Sequence, residues 1–245
     1  FLSFTKTYSQ GVDWQQTNGP FGGRVYNVGV SNNGNLFALT NSQLYRSPDK
    51  GQTWTIICNN LTNPTEIIRS RNGYIAFVDG NKIYKSTDNG DSWKRTEIPV
   101  NWSDHFFSDK NGNLFLSSNN KVFYSYDDGI SWGANQNTLP FYTVSGLASD
   151  GVNFYLSSDN GIYRSIDKGI TWTNVNNNLP AGLYNCVYTK NGKVFAGKQG
   201  AIYSSTDNGQ TWNLGSSGSY EYVWSFSEDS SGNLYAVTSL NILET

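Results

Sequence analysis

The chain has 245 residues, a formal net charge of −2, a single histidine and no methionine, and aromatic side chains make up 15% of it against 37% for all apolar types. That balance, with no run of like charges, gives no electrostatic footprint for nucleic acid or an acidic membrane surface, and no apolar stretch reaches the length of a membrane span. Rings without methionine point to a core of aromatic and β-branched side chains on strands. The missing methionine, at position 1 as elsewhere, is read as the mark of a processed mature chain or an excised domain.

Taken in order, the chain repeats one unit. Asn33-Gly34 is a hairpin signal, followed by the strand-like run Leu36-Phe37-Ala38-Leu39 and a second run, Leu44-Tyr45-Arg46. Then comes an eight-residue box, Ser47 to Trp54 (SPDKGQTW). The box returns at Ser86 to Trp93 (STDNGDSW), Ser125 to Trp132 (SYDDGISW), Ser165 to Trp172 (SIDKGITW) and Ser205 to Trp212 (STDNGQTW), so that successive tryptophans lie 39 or 40 residues apart. Such a period marks a repeat architecture. In each box the aspartate (Asp49, Asp88, Asp127, Asp167, Asp207) is placed to accept hydrogen bonds from the backbone just after it. The glycine supplies positive φ, and the tryptophan (Trp54, Trp93, Trp132, Trp172, Trp212) pins the turn to its sheet.

Six hairpin markers accompany the five boxes, the last at Ser231-Gly232. Each unit reads as a four-stranded antiparallel meander, which predicts an all-β, six-bladed β-propeller in one domain. The blades are expected near residues 20–58, 59–97, 98–137, 138–177, 178–216 and 217–245, the last completed by residues 1–19. Trp14 lies 40 residues before Trp54, in phase with the boxes, so the N-terminal segment is expected to pair with the C-terminal one and close the ring. Closure removes exposed sheet edges. Residues 1–6 and 240–245 compete for the strand before that sixth box position. Cys58 and Cys186 fall on non-adjacent units and are read as two separate buried thiols.

The motif SxDxGx[ST]W at this period is the Asp-box, or BNR repeat, and the whole chain resembles the sialidase-like β-propellers. The resemblance implies a fold and a structural role for the boxes, away from the ligand-binding mouth. It also implies what an active sialidase should carry: an arginine triad, a Tyr–Glu nucleophile pair, an aspartic acid and an early Arg-Ile-Pro. That motif is missing here. Arg24 is the one arginine near the start, and Arg46, Arg69, Arg71, Arg95 and Arg164 fall at unrelated places in the repeat. The chain is therefore read as a non-catalytic member.

Other glycosidase chemistry needs two facing carboxylates, and the mouth offers Glu66, Asp104 and Glu221, with His105 beside them. No cluster has metal-ligand spacing, so no metal and no cofactor are expected. Lining up the residues before each hairpin puts Arg24, Asn63, Trp102, Phe141, Gly182 and Tyr222 at one level of the mouth. Two steps on lie Tyr26, Thr65, Asp104, Thr143, Tyr184 and Trp224. The candidate ligand-binding set is Arg24, Tyr26, Glu66, Trp102, Asp104, His105, Phe141, Tyr184, Tyr222 and Trp224, since rings among polar groups suit sugars or peptide side chains.

The expected function is recognition of a glycan or protein at this face by a secreted, periplasmic or cell-surface protein, within a larger multidomain or multi-subunit surface assembly. Two alternatives are a glycoside hydrolase or lyase with an unrecognised site and a purely structural repeat domain of a larger surface protein. Asn60-Leu61-Thr62 and Asn101-Trp102-Ser103 are glycosylation sequons if the source is eukaryotic.

Overall fold

The computed structural model describes residues 17–20, 24–70, 73–101, 103–109, 111–218, 222–229, 231–240 and 242–244. Among them the chain forms six antiparallel sheets, each a meander whose strand order follows the sequence. This is a six-bladed β-propeller. Blade one runs Val25–Val30, Leu36–Thr40, Leu44–Ser47 and Thr55–Cys58, from the inner to the outer strand. The other inner strands are Pro64–Arg69, His105–Ser108, Val144–Ser149, Tyr184–Lys190 and Val223–Glu228. From the first to the sixth, each packs against the next.

The second strand of a blade has neighbours on both faces, because sheets stack blade against blade. Ile75–Asp79, Leu114–Ser118 and Phe154–Ser158 are accordingly buried along their whole length, and they read as unbroken runs, without the alternation of a half-solvated strand. Between blades the rings interlock. Phe37 and Phe77 meet the edge of Trp93 at centroid distances of 6.3 and 5.2 Å. Phe107, Phe115 and Phe154 form a chain with both steps at 5.0 Å. Each fully buried ring stabilises the stack by roughly 1.5–3 kcal/mol relative to exposure.

The boxes join third to outer strands and repeat one hydrogen-bond pattern. In the first, the Ser47 hydroxyl donates to Asp49 Oδ1 at 2.8 Å and accepts from the Gly51 N–H at 2.7 Å. The Thr53 N–H and hydroxyl donate to the two Asp49 oxygens at 2.9 and 2.6 Å. The same bonds recur around Asp88, Asp127, Asp167 and Asp207. Donors on both oxygens favour the charged form. Hydrogen bonds from Thr53, Ser131 and Thr211 hold Asp49, Asp127 and Asp207 down to about 2, and those from Ser92 lower Asp88. The indole N–H groups of Trp54, Trp132 and Trp172 close the turn on the glycine carbonyl, whereas that of Trp212 reaches back to Val175 in the preceding blade.

Each box also leans on the blade before it. Arg46 ties to Asp91 and to the Asn89 carbonyl of the second box. Lys85 pairs with Asp128 of the third at 3.1 Å, and the Tyr126 hydroxyl donates to the Lys168 carbonyl of the fourth. Gly90 shows why this position is glycine twice over. Its φ is +90°, and a Cβ there would stand 2.7 Å from the Phe37 ring.

Blade six has three described strands, Val223–Glu228, Leu234–Thr238 and Ile242–Glu244. Ile242–Glu244 thus takes the third-strand place for which two terminal segments competed. Residues 1–16, with Trp14, lie outside the described residues. The residue pair 17–18 is anchored to box one. The Asn18 N–H donates to the Gly51 carbonyl at 3.2 Å, and its amide to Gln52. Gln136 and Asn177, just past the outer strands of blades three and four, make the corresponding bonds to Ile170 and Gln210 of the following boxes. Residues 17–18 therefore stand where the end of a preceding blade's outer strand would. Both cysteines are free; Cys186 is buried and Cys58 only half-buried, against the expectation of two buried thiols.

Candidate functional site

The inner strands form the wall of the central channel, and in five of them the register shifts by a bulge near the mouth, at Val25/Asn27, Pro64/Ile67, Val144/Gly146, Tyr184/Cys186 and Val223/Ser225. A bulge re-aims the side chain at the extra residue. Beside these shifts, side chains of blades one and two tie to the next blade. Asn27 Oδ1 accepts from the Ile67 N–H of blade two at 3.0 Å. Glu66 Oε2 accepts from the Phe106 N–H of blade three at 2.7 Å. The other Glu66 oxygen lies 2.8 Å from His105 Nδ1, which must carry the proton because a carboxylate only accepts.

Burial alone would push the His105 value down. The Glu66 hydrogen bond and the charges of Glu66 and Asp104 outweigh it, so the ring is held above its ordinary value near 6.5. The pair borders a channel cavity of about 290 Å³ that also touches Asn27 and Ser145. Nε2 has no hydrogen-bond partner among the described residues. Asp104 is exposed, with its N–H bonded to the Ser117 carbonyl at 2.8 Å.

Around the mouth the candidates divide. Tyr26 is 55% exposed, with the Arg24 guanidinium 5.3 Å from its ring centre. Trp224 is equally exposed and lies 5.0 Å from the half-buried Tyr222 ring. Trp102 and Glu221 fall outside the described residues. Phe141 and Tyr184 do not belong to an open site. Phe141 is 2% exposed and packs edge-on against Tyr163 at 5.1 Å. Tyr184 is wholly buried in the contact between blades four and five, its hydroxyl donating to the Pro180 carbonyl.

For Tyr184 the cause is register. Val25, Val144 and Tyr184 occupy one level, opposite Thr40, Ser158 and Lys198, and the bulged residues are Tyr26, Ser145, Asn185 and Trp224. Tyr184 is one residue short of the place the sequence alignment gave it. A slip of one turns a side chain to the other face.

The side chains that do face solvent beside the buried ones are Tyr142, at 83% exposure, and Leu183, at 42%. Sequence reasoning passed over both. The available signal was the pair Phe141-Tyr142, since a ring with a hydroxyl is the more apt to stay wet. Asp159 pins the Tyr142 loop by accepting from its N–H at 3.1 Å, much as Asp79 accepts from Thr62 and Asn63 two blades earlier.

No three His, Cys, Asp or Glu side chains gather to hold a metal ion among the described residues. The arginines are dispersed: Arg46 is tied to Asp91, Arg69 to Asn32 and Arg164 to Asn153.

Comparison with known proteins gives the same architecture. The model of the DUF6242 beta propeller domain matches residues 2–106, and the BNR/Asp-box repeat matches residues 203–214. No curated protein matches the chain. Among solved structures, virginiamycin B lyase from Staphylococcus aureus, in a catalytically inactive H270A form with quinupristin, is similar at 17% identity and a TM-score of 0.71, over 91% of this chain and 80% of that one. The extracellular domain of the hybrid two component system BT4673 from B. thetaiotaomicron reaches 0.73 at 16% identity, over 93% of this chain but 32% of that one. YCF48 bound to D1 peptide reaches 0.69 at 19%, over 90% and 77%. At these identities the likeness is one of fold.

Proposed function

We propose that this chain, an Asp-box β-propeller, is a non-catalytic recognition module of a secreted or surface-exposed protein, and that it binds a protein partner through an exposed peptide segment at the mouth. The observation that carries this reading is the set of unburied rings there, Tyr26, Tyr142 and Trp224, with Tyr222 and Arg24 beside them. Aromatic and arginine anchors dominate protein recognition energetics, and the box face has no comparable set of unlike loops. The peptide bound to YCF48 and the extracellular setting of BT4673 accord with such a role. No helix among the described residues is long and apolar enough to cross a membrane.

The test is selection of binders from a displayed random-peptide library, followed by affinity measurement. Tyr142→Ala and Trp224→Ala should each weaken a selected peptide about tenfold, the loss of 1–2 kcal/mol typical of an interfacial ring. Peptides that bind the double variant as tightly as the parent would place recognition elsewhere.

A second reading rests on Glu66 and His105. A histidine whose Nδ1 is oriented by a carboxylate, with Nε2 unpartnered beside a cavity, is the arrangement of a general base, and a propeller lyase is inactive when one histidine is replaced. Turnover of a lyase or glycosidase substrate that His105→Gln abolishes, while folding is kept, would select this reading.

A further inference from the structure

On the same face, but at the rim of blades two to four, two cavities of about 330 and 360 Å³ share Asn119 and Lys121 as a common wall. We propose that they form one groove and that it binds a saccharide. The argument starts from the turn between the second and third strands, which every blade presents here. In blade four the polar groups of that turn are engaged. Asp159 accepts from Tyr142 and Thr143, and the Asn160 amide donates to the Pro140 carbonyl at 2.8 Å. In blade two, Asp79 holds Thr62 and Asn63, and Asn81 accepts from Lys82.

Blade three differs from these two. Its turn residues Asn119 and Asn120 have no side-chain hydrogen-bond partner among the described residues, and neither do Asn101 and Gln136 on the flanking walls. The left-handed backbone at Asn119 and Asn120, with φ of +51° and +62°, suits asparagine at the turn. It says nothing for the free amides on the walls.

A second observation points into the groove. Ser118 is 1% exposed, lines the larger cavity, and its buried hydroxyl has no partner among the described residues. Buried polar groups in native folds are ordinarily paired.

The chemistry selects the ligand. Side-chain amides both donate and accept, which matches hydroxyl groups that do the same. Half-buried Phe123 lines the same cavity and offers an apolar surface for the C–H face of a sugar ring. Lys121 is the one charged side chain lining either cavity and no carboxylate does, so a uronate-bearing sugar fits as well as a neutral one. A basic or strongly apolar ligand does not fit.

The experiment is an array of neutral and uronate-containing oligosaccharides, with dissociation constants measured for the hits. Asn119→Gly removes the amide and keeps the left-handed turn; Asn101→Ala and Lys121→Ala each alter one exposed lining side chain and leave the core alone. Each should weaken the saccharide at least tenfold with an unchanged melting temperature, and Lys121→Ala should act most on uronates. The same variants should leave mouth peptides untouched, and Trp224→Ala should leave the saccharide untouched, so that this groove and the mouth reading can fail separately. An array without hits, or hits whose affinity the three groove variants do not change, overturns the proposal.

Discussion

On the box face, five turns set a serine, an aspartate and a glycine in the same places with the same hydrogen bonds. On the opposite face, among the described residues, the loops are held in different ways: Asp79 and Asp159 accept from the backbone N–H groups of two of them, whereas Lys198 donates to the Pro180 and Ala181 carbonyls of a third. The comparison teaches how one repeat yields both stability and individuality. A box turn must satisfy its own backbone and meet the preceding blade, so its solution is copied. A mouth loop need only return the chain to the next inner strand, so its remaining side chains are at liberty to differ.

The comparison breaks most severely at the box glycines. Gly90→Val combines positive φ with a Cβ driven into Phe37, and it should cost about 3 kcal/mol or more in denaturant unfolding. A loss below about 1 kcal/mol would show that the turn can swing off the neighbouring blade.

Next in size is closure of the ring, which we propose involves the N-terminal segment because Asn18 already meets box one as the ends of other outer strands meet theirs. Deleting residues 1–18 should bare the edge of Ile242–Glu244, lower the melting temperature and produce oligomers on size exclusion. A monomer with unchanged melting would place the edge under other cover.

The box carboxylates sharpen the contrast through pH. Their folded values lie below the ordinary 3.8, so the stability they contribute is present above that value and is lost as pH falls through it towards about 2. Asp127→Asn should lower stability at neutral pH and flatten the acid limb of the melting curve.

His105 works in the opposite sense. Its folded value is raised, so its contribution is full below about 6.5 and fades as pH rises through the folded value. An NMR titration should show the elevated midpoint, and Glu66→Gln should bring it down.

The smallest effects belong to the mouth. Tyr142→Ala and Trp224→Ala should each move stability by no more than about 0.5 kcal/mol, as exposed positions do, while Phe141→Ala and Tyr184→Ala, one or two residues away in the chain or repeat, should cost about 3–5 kcal/mol as emptied core sites do. Equal losses for Tyr142 and Phe141 would erase the distinction drawn between them.

Much of this molecule was legible before folding was considered. The Asp-box is a local structure, with its serine, aspartate and glycine within five residues, and its chemistry can be read from one copy and checked against four others. The period then implies that the sheets stack, because a blade alone cannot cover both faces of its second strand.

Which mouth side chains are open was a different kind of question. It turned on bulges in the inner strands, and those depend on how far each strand slides against its neighbour and on the ties from Asn27 and Glu66 to the next blade. These contacts join residues 39 and 40 positions apart in sequence, beyond the reach of any local pattern. So Tyr184, aromatic and on the mouth side of its blade, went into the core. A repeat determines its own turns, since their partners lie within the turn. Burial at a bulged strand is decided only when the neighbouring blade is in place, because the alternation of faces does not register an inserted residue.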